Sequence, residues 1–212
     1  MARKDIIKLL AGFKRFKEKY FETENSVYQK LSVGGQSPKT LIIGCCDSRV
    51  DPAIISSASP GDIFVVRNVA NLVPPYEIGG GFHGVSAAIE FAVTSLKVEN
   101  VLVLGHRQCG GIRSLFSEDR QDDSFISQWM KIAKEARIEV LRKFPNADLE
   151  TQCKQCELES IKISLKNLTT FPFIQKAQQE RDLNILGIYF DLEEGKLWEF
   201  DEKDNEFKNI EV

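Results

Sequence analysis

Two short segments of the sequence carry residue types that bind transition metals. They are Cys45-Cys46-Asp47-Ser48-Arg49 and His106-Arg107-Gln108-Cys109-Gly110. A cysteine of the first segment, with His106 and Cys109, supplies two thiolates and one imidazole, a donor set that suits tetrahedral zinc. Three protein ligands leave the fourth position for water, which is typical of a catalytic rather than a structural zinc site.

Asp47 and Arg49 follow this cysteine pair and can form a carboxylate–guanidinium pair. Held in this way, the Asp47 carboxylate would accept the proton of a zinc hydroxide and direct the hydroxide at a small electrophile. Alternatively, Asp47 would bind zinc itself and close the site. Because two thiolates neutralise Zn²⁺, we expect bound water to be less acidic than in a three-histidine site, though far more acidic than bulk water.

Both segments follow continuous apolar runs, a pattern that predicts strands buried on both faces of a parallel sheet. Ligands bind at the carboxyl ends of such strands, so the two segments can face each other. A small-residue stretch at 84–93 suits a helix packed tightly on the sheet. The predicted strands are Thr40–Cys45, Asp62–Val66, Val101–Gly105 and Asn184–Phe190.

The remaining segments complete the predicted fold. Residues 3–31 predict one amphipathic helix, which packs either on its own domain or across a partner subunit. Residues 122–169 predict helices in at least two pieces, broken near Pro145, and a further short helix begins around Pro172. Residues 191–207 alternate around a Glu-Gly pair and predict a hairpin.

The predicted fold class is therefore α/β, with a mostly parallel central sheet flanked by helices, an N-terminal helical arm and a C-terminal β-hairpin. We expect a single domain over residues 1–212, in which residues 1–34 form the arm and residues 35–212 form the α/β core.

The composition excludes several classes of protein. The 212 residues include 28 Lys and Arg against 31 Asp and Glu, a net charge of −3, and 42% are hydrophobic. This balance argues against a disordered chain and a nucleic-acid binder. No apolar run reaches the ~18 to 20 residues that cross a bilayer, and the N-terminus lacks the pattern of a secretory signal. We therefore expect a cytoplasmic protein with five reduced cysteines and neither nucleic acid nor membrane as a partner.

Together the Cys-x-Asp-Ser-Arg and His-x-x-Cys-Gly segments resemble the β-class carbonic anhydrases. The similarity covers about residues 35–111 and continues more loosely to the final strand. The segment 67–76 resembles the plant-type branch, which includes many bacterial members. The resemblance implies one Zn²⁺ per subunit and a catalytic dyad. The implied zinc ligands are Cys45, His106 and Cys109, and the implied dyad is Asp47 and Arg49.

The resemblance also implies the reaction and the substrate pocket. The reaction is the reversible hydration of CO2 to bicarbonate and a proton, by attack of zinc-bound hydroxide on CO2. Gln36 would donate a hydrogen bond to a substrate oxygen, and the backbone N–H of Gly110 would bind a bicarbonate oxygen. Phe64 and Val69 would form the apolar wall for CO2. Phe91 stands where the plant-type pattern often has Tyr, so the hydroxyl is lost and the apolar wall is kept.

The resemblance further implies a homodimer or higher homo-oligomer, with active sites near the subunit interface and the N-terminal helix reaching across. Ile42 replaces the Trp of the bicarbonate-regulated bacterial branch. This replacement argues against that form of inhibition and favours an open site, with water rather than Asp47 on zinc near neutral pH.

Two rival functions remain open at this point. The same zinc site could hydrolyse a sulfur analogue of CO2, such as COS or CS2. Alternatively, a closed site could belong to a zinc-binding interaction or sensing protein, with Asp47 as the fourth ligand beside the two cysteines and His106. Arg49 argues against the closed site because it can draw Asp47 off the metal.

Other reactive residues are interpreted as less important. Alternation along a strand points Cys46 away from the metal and predicts a small core residue. Cys153 and Cys156 lie one turn apart on a polar helix, with no second cysteine pair for a four-sulfur site. His83 would act either as a proton shuttle or, more simply, as a residue that packs at a helix start.

Overall fold

Six strands form a single sheet in a computed structural model that describes residues 2–22, 26–79, 81–117 and 123–211. The strands are β1 (Thr40–Cys45), β2 (Ile63–Asn68), β3 (Asn100–His106), β4 (Asn184–Asp191), β5 (Lys196–Asp201) and β6 (Glu206–Ile210). Their order is β2-β1-β3-β4-β5-β6. The first four strands pair in parallel, and β5 and β6 extend the sheet in antiparallel fashion.

The four apolar runs form the parallel part of the sheet, so the predicted fold class is confirmed. The predicted hairpin is confirmed as β4 and β5, which turn at Gly195. A second hairpin joins β5 to β6, which the sequence analysis did not identify. Its turn contains Asn205 with φ +55°, and Asn tolerates this left-handed conformation better than most residues.

Nine α-helices lie within the described residues. They are α1 (Ala2–Phe21), α2 (Val27–Gly34), α3 (Pro52–Ile55), α4 (Gly84–Glu90), α5 (Gly110–Ser114), α6 (Phe125–Met130), α7 (Lys134–Lys143), α8 (Leu149–Leu168) and α9 (Pro172–Glu180). A π-helical turn, Phe91–Ser95, continues α4. The predicted break near Pro145 and the predicted helix start around Pro172 are confirmed, although residue 122 lies outside the described part of the chain.

The prediction of one helix over residues 3–31 is wrong. Helix α1 ends at Phe21 and α2 begins at Val27, and residues 23–25 between them lie outside the described residues. A capping box starts the second helix. Ser26 Oγ accepts the Gln29 N–H, and Gln29 Oε1 accepts the Ser26 N–H, at 3.2 Å each. These bonds satisfy two N–H groups that would otherwise be unpaired at a new helix start.

Aromatic contacts join the two helices of the N-terminal arm. Aromatic rings of α1 pack against Tyr28 of α2, with centroids 5.1 Å apart for Phe21 and 5.2 Å for Phe16. Other apolar side chains of α1 are exposed to solvent. They are Ile6, Ile7, Leu9, Leu10 and Phe13.

Helix α8 packs across β3 and β4 near the end of the sheet where the two metal-binding segments begin. Glycine allows this close approach. A Cβ at Gly105 would lie 2.6 Å from Ile161, and a Cβ at Gly187 would lie 2.8 Å from the same side chain. The buried face of α8 is thereby brought beside the loop that follows β3. In the ranges described, no helix combines the length and apolarity needed to span a membrane.

Candidate metal centre

Two adjacent parallel strands bring the predicted metal ligands together. Cys45 ends β1 and His106 ends β3, its neighbour in the sheet. Cys109 follows after a short turn, immediately before α5. The ligand atoms of the three residues all lie within 4.8 Å of one another, and all three side chains are buried.

The geometry of this group fits a tetrahedral cation with sulfur and nitrogen ligands. The Sγ atoms of Cys45 and Cys109 are 4.0 Å apart. Two thiolates bound to one zinc at about 2.3 Å would be roughly 3.8 Å apart. His106 Nδ1 lies 2.8 Å from the Arg107 carbonyl oxygen, whereas the buried Nε2 has no hydrogen-bond partner among the residues that the structure describes. A buried nitrogen without a partner is costly, so the site is suited to a metal at Nε2.

The charges of the group indicate the same need for a cation. Hydrogen bonding from Cys109 lowers the pKa of Cys45 to about 4, aided by the adjacent His106 and by the Asp47 N–H at 3.4 Å from its Sγ. Contact with Cys45 and burial raise the pKa of Cys109. Burial would lower the pKa of His106, but the adjacent Cys45 thiolate and the Arg107 carbonyl raise it. Two adjacent buried thiolates repel each other, and a divalent cation removes that repulsion.

Asp47 and Arg49 form a bidentate ion pair beside the thiolates. Asp47 Oδ1 accepts the Arg49 backbone N–H at 2.9 Å and Nε–H at 3.0 Å, and Oδ2 accepts Nη2–H at 2.7 Å. These bonds hold the pKa of Asp47 well below its usual range. Because Asp47 lies outside the three-residue metal group, its carboxylate is available beside that group.

Gln108 connects the Asp47–Arg49 pair to the turn that contains His106 and Cys109. Arg49 donates to the Gln108 carbonyl oxygen at 3.1 Å and to its side-chain Oε1 at 3.3 Å. The Gln108 backbone has φ +58°, a conformation that few residues other than glycine adopt. The Gln108 amide in turn donates to Glu193, just after β4. The turn between His106 and Cys109 is therefore tied to the guanidinium that holds Asp47.

A buried carboxylate contacts the other side of this turn, and the sequence analysis did not identify it. Glu157 of α8 is 3% exposed. Its Oε1 accepts the Cys109 N–H at 2.9 Å, and its Oε2 accepts the Tyr189 hydroxyl at 2.9 Å. Burial raises the pKa of Glu157, opposed by these two hydrogen bonds. The available signal was a Glu on the apolar stripe of an amphipathic helix, one residue after Cys156.

Of the predicted pocket residues, Val69 and Gly110 lie near the metal group within one chain. Gly110 follows Cys109 directly and is exposed. A Cβ at Gly111 would lie 2.7 Å from Val69 Cγ1, so the 3₁₀ turn at Val69–Asn71 packs against the start of α5. The carbonyl of Val69 also accepts the Trp129 indole N–H at 2.8 Å.

The other predicted pocket residues lie around the end of β1 opposite Cys45. Gln36 precedes this strand, whose first residue, Thr40, lies roughly 17 Å along the strand from Cys45. Phe64 is in register with Leu41, about 13 Å along the sheet from Cys45. Phe91 packs on Phe64 with centroids 5.9 Å apart and is 46% exposed.

The minor candidates have mixed outcomes. The prediction that Cys46 is a core residue is wrong: Cys46 is exposed, because β1 ends at Cys45 and strand alternation ends with it. Cys153 and Cys156 are both buried in α8. His83 is exposed at the start of α4, and its Nε2 lies 2.9 Å from the Gly79 carbonyl oxygen.

Comparison with known proteins identifies the family. The carbonic anhydrase family model matches residues 40–197. Beta carbonic anhydrase 3 of Arabidopsis thaliana is 38% identical over 202 residues, which cover 92% of this chain and 78% of the relative. The chain belongs to the β-carbonic anhydrase family.

Solved structures of β-carbonic anhydrases share the fold described above. The β-carbonic anhydrase CcaA matches with a TM-score of 0.90 at 32% identity, covering 99% of this chain and 93% of that one. One of the tetrameric β-carbonic anhydrases from the filamentous ascomycete Sordaria macrospora matches with a TM-score of 0.76 at 31% identity, covering 93% and 94%. The predicted family is therefore confirmed.

Proposed function

We propose that this chain catalyses the reversible hydration of CO2 to bicarbonate and a proton, with one zinc ion per subunit held by Cys45, His106 and Cys109. The observation that carries the proposal is the convergence of these three buried ligand atoms beside a carboxylate that Arg49 holds outside the group. Membership in the β-carbonic anhydrase family supports the same reaction.

The donor set defines what the metal would contribute. Zinc in such a site supplies a Lewis acid that lowers the pKa of water towards neutrality. The chain provides two negative thiolates and one neutral imidazole, which balance the charge of the cation. His106 Nδ1, by donating its hydrogen to the Arg107 carbonyl, leaves Nε2 as the nitrogen that faces the metal.

Asp47 orients the nucleophile in this proposal. Its Oδ1 already accepts two hydrogen bonds from Arg49, whereas Oδ2 accepts one. Oδ2 therefore keeps capacity to accept a hydrogen bond from the attacking oxygen and to fix the direction of its lone pair. Because Arg49 engages both carboxylate oxygens, the arrangement favours an open site over one closed by Asp47.

Substrate oxygens require donors, and the CO2 carbon requires an apolar approach. We propose that the Gly110 N–H binds one oxygen of bicarbonate and that Val69 lines the approach. The Gly110 N–H is the first of α5 and has no partner within that helix. Gln36, Phe64 and Phe91 would complete the pocket as a hydrogen-bond donor and an apolar wall.

We propose that the pocket is completed by a second copy of the chain in a homodimer or a higher homo-oligomer. Gln36, Phe64 and Phe91 are solvent-accessible in the single chain, and Phe64 lies roughly 13 Å along the sheet from its own Cys45. The exposed apolar residues of α1 would be covered by the same association. The tetrameric relatives from Sordaria macrospora support assembly of this kind.

We also propose that the protein acts in the cytoplasm. Reducing conditions there would keep the thiols of Cys45 and Cys109 available as metal ligands. Fluorescence localisation of the tagged full chain tests this placement, and a signal confined to another compartment would contradict it.

Comparing turnover on CO2 and CS2 tests the proposed reaction. The zinc-loaded protein should hydrate CO2 rapidly and leave CS2 almost unchanged. Rapid CS2 hydrolysis without CO2 hydration would reassign the same metal site to a sulfur substrate. Tight zinc binding with no turnover of either substrate would favour an interaction or sensing protein.

A further inference from the structure

We propose that Glu157 is a positioning residue that holds the metal-binding turn in the geometry required for zinc. This inference rests on the proposed metal site and extends it to a residue that touches neither metal nor substrate. The turn runs from His106 to Cys109 and supplies two of the three ligands. Glu157 contacts its backbone from a different element, helix α8.

The backbone N–H of Cys109 requires a hydrogen-bond acceptor from outside the turn. Cys109 is 1% exposed and is the N-cap of α5, so its N–H has no bond within that helix and no access to water. Glu157 Oε1 accepts this N–H at 2.9 Å. The bond therefore fixes the backbone of Cys109, from which the side chain with the Sγ ligand atom projects.

Glu157 is itself fixed by its surroundings. Tyr189 of β4, 1% exposed, donates its hydroxyl to Oε2 at 2.9 Å. Tyr189 is in register with Gly105, the residue before His106. The carboxylate thus joins the two strands and the helix that surround the turn. Because both of its oxygens have partners, the side chain has one well-defined position.

Two hydrogen bonds and a nearby guanidinium explain why a carboxyl group is tolerated at this depth. Arg107, which is 8% exposed and pairs with Glu150 and Glu193, lines the same cleft of about 300 Å³ as Glu157 and Cys109. A buried carboxylate without a partner is costly, and a nearby guanidinium offsets that cost. An ordinary packing residue at this position would be apolar. A carboxyl group with one oxygen on the Cys109 N–H and the other on a tyrosine hydroxyl of β4 points to a role in holding this turn.

Zinc affinity of the purified full chain, measured by competition with a chromogenic chelator, tests the inference. Glu157→Ala removes both hydrogen bonds and should weaken zinc binding by about 10- to 100-fold, as is typical when a partner of a metal ligand is lost. Glu157→Gln keeps an acceptor oxygen for the Cys109 N–H, so it should restore most of the affinity. Ser164→Ala is the matched control, because Ser164 is equally buried in α8 but bonds Val73 and Asn71 instead.

The possible results distinguish a positioning role of Glu157 from an effect of its charge and from a general destabilisation of α8. Wild-type affinity in a folded Glu157→Ala variant would overturn the inference. An equal loss in the Gln and Ala variants would also overturn it, because charge rather than the hydrogen bond would then be responsible. An equal loss in Ser164→Ala would show a general effect of destabilising α8 and would overturn it as well.

If Glu157→Ala does not fold, Tyr189→Phe takes its place. This variant keeps the Glu157 carboxylate but removes the hydrogen bond at Oε2. We expect a measurable loss of zinc affinity that is smaller than about tenfold. An unchanged affinity would contradict the inference. The zinc measurement does not depend on turnover, so a protein that binds zinc tightly without hydrating CO2 would refute the proposed function while leaving the role of Glu157 intact.

Discussion

The metal side and the substrate side of the proposed site are built differently. Cys45, His106 and Cys109 come from the ends of adjacent strands, and their ligand atoms meet within 4.8 Å in the buried interior of one chain. Phe64 instead lies roughly 13 Å along the sheet from Cys45. Gln36 precedes the end of β1 that is opposite Cys45, and both side chains are accessible to solvent.

This difference separates two requirements of the proposed enzyme. A single chain contains every proposed ligand and the Asp47–Arg49 pair, so the proposed metal binding would need no second copy. The pocket that recognises CO2 needs surfaces that a single chain does not bring together. Metal affinity and substrate turnover should therefore respond differently to mutation and to the state of assembly.

Removing a metal ligand should have the largest effect on the metal side. Cys45→Ala leaves two ligands and should abolish both zinc retention and CO2 hydration, because zinc sites with fewer than three protein ligands bind weakly. Zinc content per chain and stopped-flow hydration are the measurements. Cys46→Ala alters the neighbouring exposed thiol and should retain both properties. If Cys46→Ala were inactive and free of zinc while Cys45→Ala remained active, the metal ligand would be Cys46 and the assignment of Cys45 would be wrong.

Removing the Asp47 carboxylate should separate catalysis from metal binding. Asp47→Ala should retain zinc but reduce kcat by about 10²- to 10⁴-fold, the usual range for a group that handles a proton in the transition state. Glu139→Ala is the matched control, since it removes another bidentate carboxylate–arginine pair, on α7, with Arg142. An Asp47→Ala variant with full turnover and weakened zinc binding would indicate that Asp47 closes the site instead.

Mixed dimers test whether the pocket crosses between subunits. Gln36→Ala should reduce kcat/KM by about 10²-fold, the lower range for loss of a donor to a substrate oxygen, with zinc content unchanged. Co-expressed, differently tagged Cys45→Ala and Gln36→Ala chains can be purified as mixed dimers. If Gln36 acts on the partner's metal, each mixed dimer has one intact site and about half of wild-type activity.

The opposite result has a distinct signature. If Gln36 acts on its own chain's metal, the mixed dimer contains no intact site and retains only about half of the residual activity of the Gln36→Ala variant. Activity at that low level would show that the substrate side of the site, like the metal side, is formed within one chain.

The three residues of the candidate metal group could be predicted from the sequence because each lies in a short motif at or just after a strand end. Cys45 and Asp47 are two residues apart, and His106 and Cys109 are three apart, so neighbouring strands suffice to bring them together. The apolar runs predicted the four parallel strands for the same reason, since burial on both faces leaves a continuous local pattern.

Features that depend on distant segments were not accessible in this way. Glu157 is 48 residues from Cys109 along the chain, and no local pattern links them. The roles assigned to Gln36, Phe64 and Phe91, and the boundary between the arm and the core, remain predictions. The break in the N-terminal arm did have a local signal, the Ser26-x-x-Gln29 capping pattern, which the apolar spacing of the long stretch obscured.

Stopped-flow CO2 hydration by the zinc-loaded chain tests the central claim most directly. It should be measured near pH 7 and about 1.5 pH units higher, with and without a chelator, because water must ionise before it attacks. Rapid turnover at both pH values that disappears with the chelator is the predicted result for an open zinc site. Turnover only at the higher pH would indicate a site closed by Asp47. The absence of turnover at both pH values, with zinc still bound, would contradict the account.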